Sequence, residues 1–305
     1  MSVAWASHGD LAAVTPAESR RIAEEVRAPW TWGGPEMAAT AERIVPSANG
    51  PVRVRCYDPD PHGVKPALIY LHGGGWTIFS LDTHDRVMRE YAARAGVLVV
   101  GVDYALSPEA KYPVALEQVV RVARFLRGHG IDFGIDPLRI AIGGDSAGAN
   151  LAIATCLRLR DEGDARLIQA MILNYGVFSR ESSPEATLRF GGPGNMLTTE
   201  EMEGFWRNYL RDDGDAEDPL VSPLRADLHG LPPAMLVVPE CDLLAEQSVE
   251  LADRLAADGV PVKLEMYRGA VHSFLEAVSM APIAARAFDQ TATWLRASLF
   301  PTSPE

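Results

Sequence analysis

Positive charge is in short supply: Lys and Arg number 28 against 41 Asp and Glu, a formal net charge of -13 over 305 residues. Such a surface repels phosphate backbones and anionic headgroups, so neither nucleic acid nor membrane is an expected partner. Cysteine is scarcer still. Cys56, Cys156 and Cys241 are odd in number and irregularly spaced, which excludes a disulfide framework and a CxxC metal site. No apolar stretch approaches bilayer length. Residues 1–10 carry neither a basic n-region nor an apolar run, so no secretory leader is expected. A cytoplasmic, reduced compartment is the expectation that fits. The oligomeric state stays open, a homodimer included.

What is present is a regular alternation. Residues 67–71, 97–102, 140–143 and 233–238 are short apolar runs, the pattern of strands buried on both faces. Helix-period stretches lie between and after them, at 83–95, 114–127, 147–161, 245–257 and 282–298. Strands alternating with amphipathic helices predict an α/β fold, a mostly parallel central sheet flanked by helices. Residues 42–45 and 51–57 alternate like half-buried strands around the turn residues 47–50.

Two segments stand outside the alternation. Thr15, Pro16 and Glu18 read as a helix start, with the helix running to about Val26. Residues 28–35 then break into a Trp/Gly/Pro patch that reads equally as a pocket wall or as a loop packed on the body. Residues 179–223 are polar and Gly-rich, with one helix starting near Thr198, where Glu201 completes a capping box. An insertion of that size between core strands is usually functional. The expected organisation is an N-terminal cap segment at 1–50 and a catalytic domain at 51–305, its cap insertion at about 179–223.

Chemistry concentrates in a few motifs. Gly144-Asp145-Ser146-Ala147-Gly148 follows an apolar run and opens a helix-prone one. A strand-to-helix turn this tight strains the central residue and needs small neighbours; it would present Ser146 Oγ at the sheet's carboxyl edge. Upstream, His72-Gly73-Gly74-Gly75-Trp76 follows residues 68–71, and three glycines in a row let backbone N–H groups turn toward a ligand, as an oxyanion site requires. A serine hydroxyl needs a base, and the base an acid behind it. Of the histidines after Ser146, His229 precedes the acid-bearing strand, whereas His272 lies just past the alternating run 262–267. The acid follows the run 235–238 and is Asp242 or Glu240.

At these motifs the chain resembles the hormone-sensitive-lipase-like, bacterial family IV carboxylesterases of the α/β-hydrolase fold, acetyl esterases among them. The resemblance spans residues 66–299. It is carried by the two motifs above, by Asp103-Tyr104-Ala105-Leu106-Ser107-Pro108-Glu109, by Asp242-Leu243-Leu244 and by His272-Ser273-Phe274. It implies Ser146, Asp242 and His272 as a triad and the amides of Gly74, Gly75 and Ala147 as oxyanion hole. The residues before Pro66 and the insertion from Ser179 then form a helical cap, and the Asp103–Glu109 stretch ties a loop beneath the oxyanion turn. The implied reaction is hydrolysis of short-chain acyl esters with no cofactor and no metal, a small-molecule ester being the partner. Trp30, Trp32, Trp76 and Trp206 are candidate substrate-pocket residues. One departure stands out: the family's usual Asp-Pro-Leu reads Asp242-Leu243-Leu244 here, and loss of the proline's fixed φ leaves Glu240 in play. Amide hydrolysis on the same triad is the second enzymatic reading. A non-catalytic receptor is the third, disfavoured by retention of all three triad residues.

Overall fold

A computed structural model describes residues 14–300; residues 1–10, considered above for a leader, lie outside them. Eight strands form one sheet in the order β1-β2-β4-β3-β5-β6-β7-β8. They are β1 (Ala39–Val45), β2 (Val52–Asp58), β3 (Lys65–Leu71), β4 (Leu98–Asp103), β5 (Ile135–Asp145), β6 (Met171–Asn174), β7 (Ala234–Cys241) and β8 (Val262–Val271). The β1–β2 and β2–β4 pairs are antiparallel and the others parallel. The mostly parallel sheet expected from the apolar runs is therefore present.

The period of two explains how the sheet divides the core. In β3, Ala67, Ile69 and Leu71 point into one apolar cluster, while Leu68 and Tyr70 point into another. The first cluster is completed by α3 (Val114–His129), α4 (Ala147–Asp161) and α7 (Ala245–Ala257); the second by α2 (Asp85–Ala95) and α8 (Pro282–Leu299). Helices on both faces satisfy strands that have no polar face.

The N-terminal helix α1 (Pro16–Thr31) runs five residues past the expected Val26. Pro29 lies in its last turn, where a missing N–H removes only one bond of the ladder. The Thr31 carbonyl, orphaned at the helix end, accepts from Arg89 Nη2 at 3.0 Å. Between β6 and β7 the chain makes its long excursion. It holds two helices rather than one, α5 (Pro184–Phe190) and α6 (Thr199–Tyr209), the latter opened by the Thr198/Glu201 capping box.

Candidate active site

The site is assembled at the carboxyl edge of the sheet by β5, β7 and β8. Where β5 meets α4, Ser146 sits at φ 54°, ψ -119°, a region L side chains rarely occupy. Its neighbours have no room for a side chain: a Cβ on Gly148 would lie 2.0 Å from the Leu71 carbonyl oxygen, and one on Gly144 2.4 Å from the same atom. The Ser146 amide donates to Asn174 O at 2.9 Å, fixing the turn to the end of β6. Strain is tolerable here because strand, helix and glycines over-determine the conformation.

The turn brings Ser146 Oγ to 3.1 Å from His272 Nε2. On the far side of the ring, His272 Nδ1 lies 2.8 Å from Asp242 Oδ2. A proton on Nδ1 satisfies the carboxylate and leaves Nε2 as the acceptor for the serine hydroxyl. All three side chains are buried, Ser146 the least so at 7% exposure. Asp242 is held in turn: its Oδ1 accepts the Leu244 amide at 3.1 Å, so the side chain itself closes the turn that a proline would otherwise set. Glu240 is exposed and accepts the Gly269 amide at 2.8 Å. The structure thus joins Asp242, not Glu240, to His272.

In the turn after β3, Gly74 and Gly75 adopt φ +100° and +56°. Among the described residues neither amide donates to a backbone carbonyl. The Gly74 carbonyl, turned the other way, accepts from Thr77 and Ile78, both at 3.0 Å. His72 braces the turn from below: its ring stacks on Tyr104, centroids 4.5 Å apart, and its Nδ1 lies 2.8 Å from Gly73 O. Burial, with the neighbouring His84 second, pulls the His72 ring down to about 3, so it is a neutral prop.

Residues 68–276 match the family model described as alpha/beta hydrolase fold. An acetyl esterase of Salmonella paratyphi B is 37% identical over 272 residues, which cover 88% of this chain and 83% of that protein. The chain belongs to the alpha/beta hydrolase fold family. Among solved structures similar to this family member, an esterase of Pyrobaculum calidifontis superposes with a TM-score of 0.91 at 31% identity, covering 94% of each chain. A thermostable carboxylesterase cloned from a metagenomic library reaches 0.91 at 34% identity, covering 95% of this chain and 99% of its own.

The four tryptophans read as pocket residues fare differently. Trp32 stands in solvent at 73% exposure, because its carbonyl is held by Arg86 and the next carbonyls by Arg89, both on α2. Trp32 is therefore no pocket wall. Trp30 is half-buried. Trp76 and Trp206 are buried with each other and with Tyr209, whose ring stacks on Trp76 at 4.2 Å, which makes the pair packing core beneath the insertion. Trp206 also walls a polar cavity of about 410 Å³ with Arg180, Thr199 and Leu243; no member of the Ser146–His272–Asp242 set lines it. Phe205 covers the glycine turn: a Cβ on Gly75 would lie 2.1 Å from its Cγ, so the ring lies directly on Gly75. Ala23, Ile78 and Phe79 pack with it.

Other site-supporting residues left little trace in the sequence. Arg20 of α1 donates to Thr77 O at 2.8 Å and Ser107 O at 2.9 Å while pairing with Glu109 at 2.6 Å, which ties the 103–109 motif to the glycine turn after β3. Arg27 lies on the buried face of α1 with Ile22, Ala23 and Val26. A lone arginine on the apolar stripe of an amphipathic helix was the readable signal.

Proposed function

We propose that the chain is a serine carboxylesterase that hydrolyses short-chain acyl esters, with Ser146 as nucleophile, His272 as base and Asp242 as the acid behind it. The carrying observation is the continuous hydrogen-bonded line from Ser146 Oγ through His272 to Asp242. Ser146 Oγ attacks the ester carbonyl as its proton passes to His272 Nε2, and the C–O bond to the alcohol breaks as that proton is returned to the leaving oxygen. Water then repeats the sequence on the acyl-enzyme. The amides of Gly74, Gly75 and Ala147 are assigned to the oxyanion of each tetrahedral intermediate. The relatives named as acetyl esterase and carboxylesterase support this reading. No cofactor enters it. Rapid phosphonylation of Ser146 by a small fluorophosphonate, absent in Ser146→Ala, tests it directly.

Residues 14–50, the described part of the N-terminal segment, and the 179–223 insertion form the cover over this site. Support comes from Phe205 of α6 and Ala23 of α1, which share one apolar cluster with Ile78 and Phe79, Phe205 lying on Gly75. Esters with two- to four-carbon acyl groups are expected to give the highest kcat/KM, with a decline beyond about eight carbons. Each methylene that fits adds about 0.8 kcal/mol of burial, so a decline reports steric exclusion. Phe205→Ala should move the optimum to longer chains, whereas exposed Trp32→Ala should leave it in place. A wild-type preference for lauryl over acetyl esters would refute the short-chain assignment. Among the described residues no helix is long and apolar enough to cross a membrane. The free cysteines, with Cys56 and Cys156 buried, support a reduced, cytoplasmic setting.

A further inference from the structure

Beneath the serine turn lies a buried set of four ionisable side chains that the hydrolytic mechanism does not use. Arg27 of α1 forms an ion pair with Glu276, both side chains being 3% exposed. His84, wholly buried, places Nε2 3.6 Å from Glu276 Oε1 and 3.2 Å from Asp145 Oδ2. Asp145 Oδ1 accepts the Tyr70 hydroxyl at 2.9 Å. Also facing His84 are the rings of His72 and Phe79, each with its centroid 5.6 Å away, and the Thr83 hydroxyl.

Hydrogen bonds and close contacts tie the members together. The Thr83 hydroxyl reaches Ser80 O and His84 Nδ1, each at 2.9 Å, and holds the ring on one side. On the other side, His84 Nε2 meets Asp145 Oδ2 and faces the Glu276 carboxylate. Arg27 closes the set through its ion pair with Glu276. His84, Asp145 and Glu276 lie close enough to one another to hold a metal ion, but the Arg27 guanidinium already supplies the positive charge there.

The members are distributed tellingly along the chain. Asp145 immediately precedes Ser146, and Glu276 lies in the turn Phe274–Ser279 that follows His272. Arg27 arrives from the N-terminal helix, with its guanidinium also 4.4 Å from the centre of the Phe79 ring. We propose that Arg27 is a positioning residue: by closing the buried Arg27–Glu276–His84–Asp145 network it holds the serine turn and the base-bearing turn in register, so full hydrolytic activity requires α1 to be docked. This rests on the assignment of Ser146 and His272. The physical basis is the cost of an unpaired buried charge: without Arg27, Glu276 must seek another partner, and the turn that carries His272 moves with it. Burial pulls the Arg27 guanidinium down to about 10, which leaves it charged throughout the neutral range.

The test uses the full chain with a short ester well below the melting point. R27M should lower kcat about 10- to 100-fold, the scale of a subångström to ångström misplacement of reacting groups, and leave KM within about twofold. Phosphonylation of Ser146 by a small fluorophosphonate should slow in parallel. Removing the stranded anion as well, in R27M/E276Q, should restore part of both rates, a recovery that mere loss of packing would not give. R21Q, exposed on the same helix, should match wild type. Folded R27M with wild-type kcat, or a double variant no better than R27M, overturns the proposal. Should R27M fail to fold, R27M/E276Q, which strands no anion, gives the reading: wild-type kcat in it overturns the proposal, while reduced kcat at constant KM supports it. Failure of the esterase reading itself shows separately, as wild-type protein that neither cleaves the ester nor labels at Ser146.

Discussion

Ser146→Ala is expected to lose turnover by about a millionfold on a short-chain ester, the loss seen when the nucleophile of a cooperating triad is removed. The magnitude follows from the geometry. Among the described residues the proton donor at His272 Nε2 is the Ser146 hydroxyl at 3.1 Å, with no second side-chain hydroxyl beside it. What remains in the variant is binding and the backbone amides proposed for the oxyanion, which in other triads are worth roughly a thousandfold over water. The fold should be unaffected. Alanine is no more strained than serine at φ 54°, and the amide bond to Asn174 and the two flanking glycines are untouched. Unchanged melting temperature with abolished hydrolysis and abolished fluorophosphonate labelling is the expected result. A variant that keeps even a hundredth of the wild-type rate would remove Ser146 from the mechanism.

The sequence was legible where constraints are local. The glycines around Ser146 are demanded by carbonyl oxygens about 2 Å from where a Cβ would be, and such sites admit only one residue. Helices α4 and α7 begin and end where their periodicity placed them, since each packs an apolar face on the sheet over its whole length. Strand β6 escaped because four residues show no period, and its place between β5 and β7 comes from pairing partners far away in the chain. Helix α5 escaped although Ser183 and Pro184 form a serviceable start signal, the polar composition around them outweighing it. The tryptophans mark the limit of composition as a guide. Trp32 and Trp206 are alike as letters, yet one is set in solvent by two arginines of α2 and the other is sealed by Trp76 and Tyr209. The buried ion network was less accessible still. Arg27, His84, Asp145 and Glu276 are spread over 250 positions, and only the assembled fold makes them neighbours.

Asp242→Asn and Glu240→Gln separate the two acids that the sequence left open, and they are expected to differ by several thousandfold. In the first, an amide replaces the carboxylate whose Oδ2 receives His272 Nδ1 at 2.8 Å. An NH₂ at that place would confront the Nδ1 proton donor to donor, so the ring shifts to the tautomer with its proton on Nε2 and can no longer accept from Ser146. Triads that undergo this change lose about ten-thousandfold in kcat with their geometry intact. The bond from the Leu244 amide to Oδ1 survives, because an asparagine carbonyl accepts as well as a carboxylate oxygen does, and the turn stays closed. In the second variant, glutamine keeps the carbonyl that accepts the Gly269 amide at 2.8 Å, and the side chain is exposed, so the cost should stay within about 0.5 kcal/mol of stability. Steady-state kcat/KM on one short ester for both variants decides between them. Were Glu240→Gln the crippled one, a loop lacking the family's proline would have to rearrange in solution so far that Glu240 reaches His272, against the turn that Asp242 and Leu244 close between them.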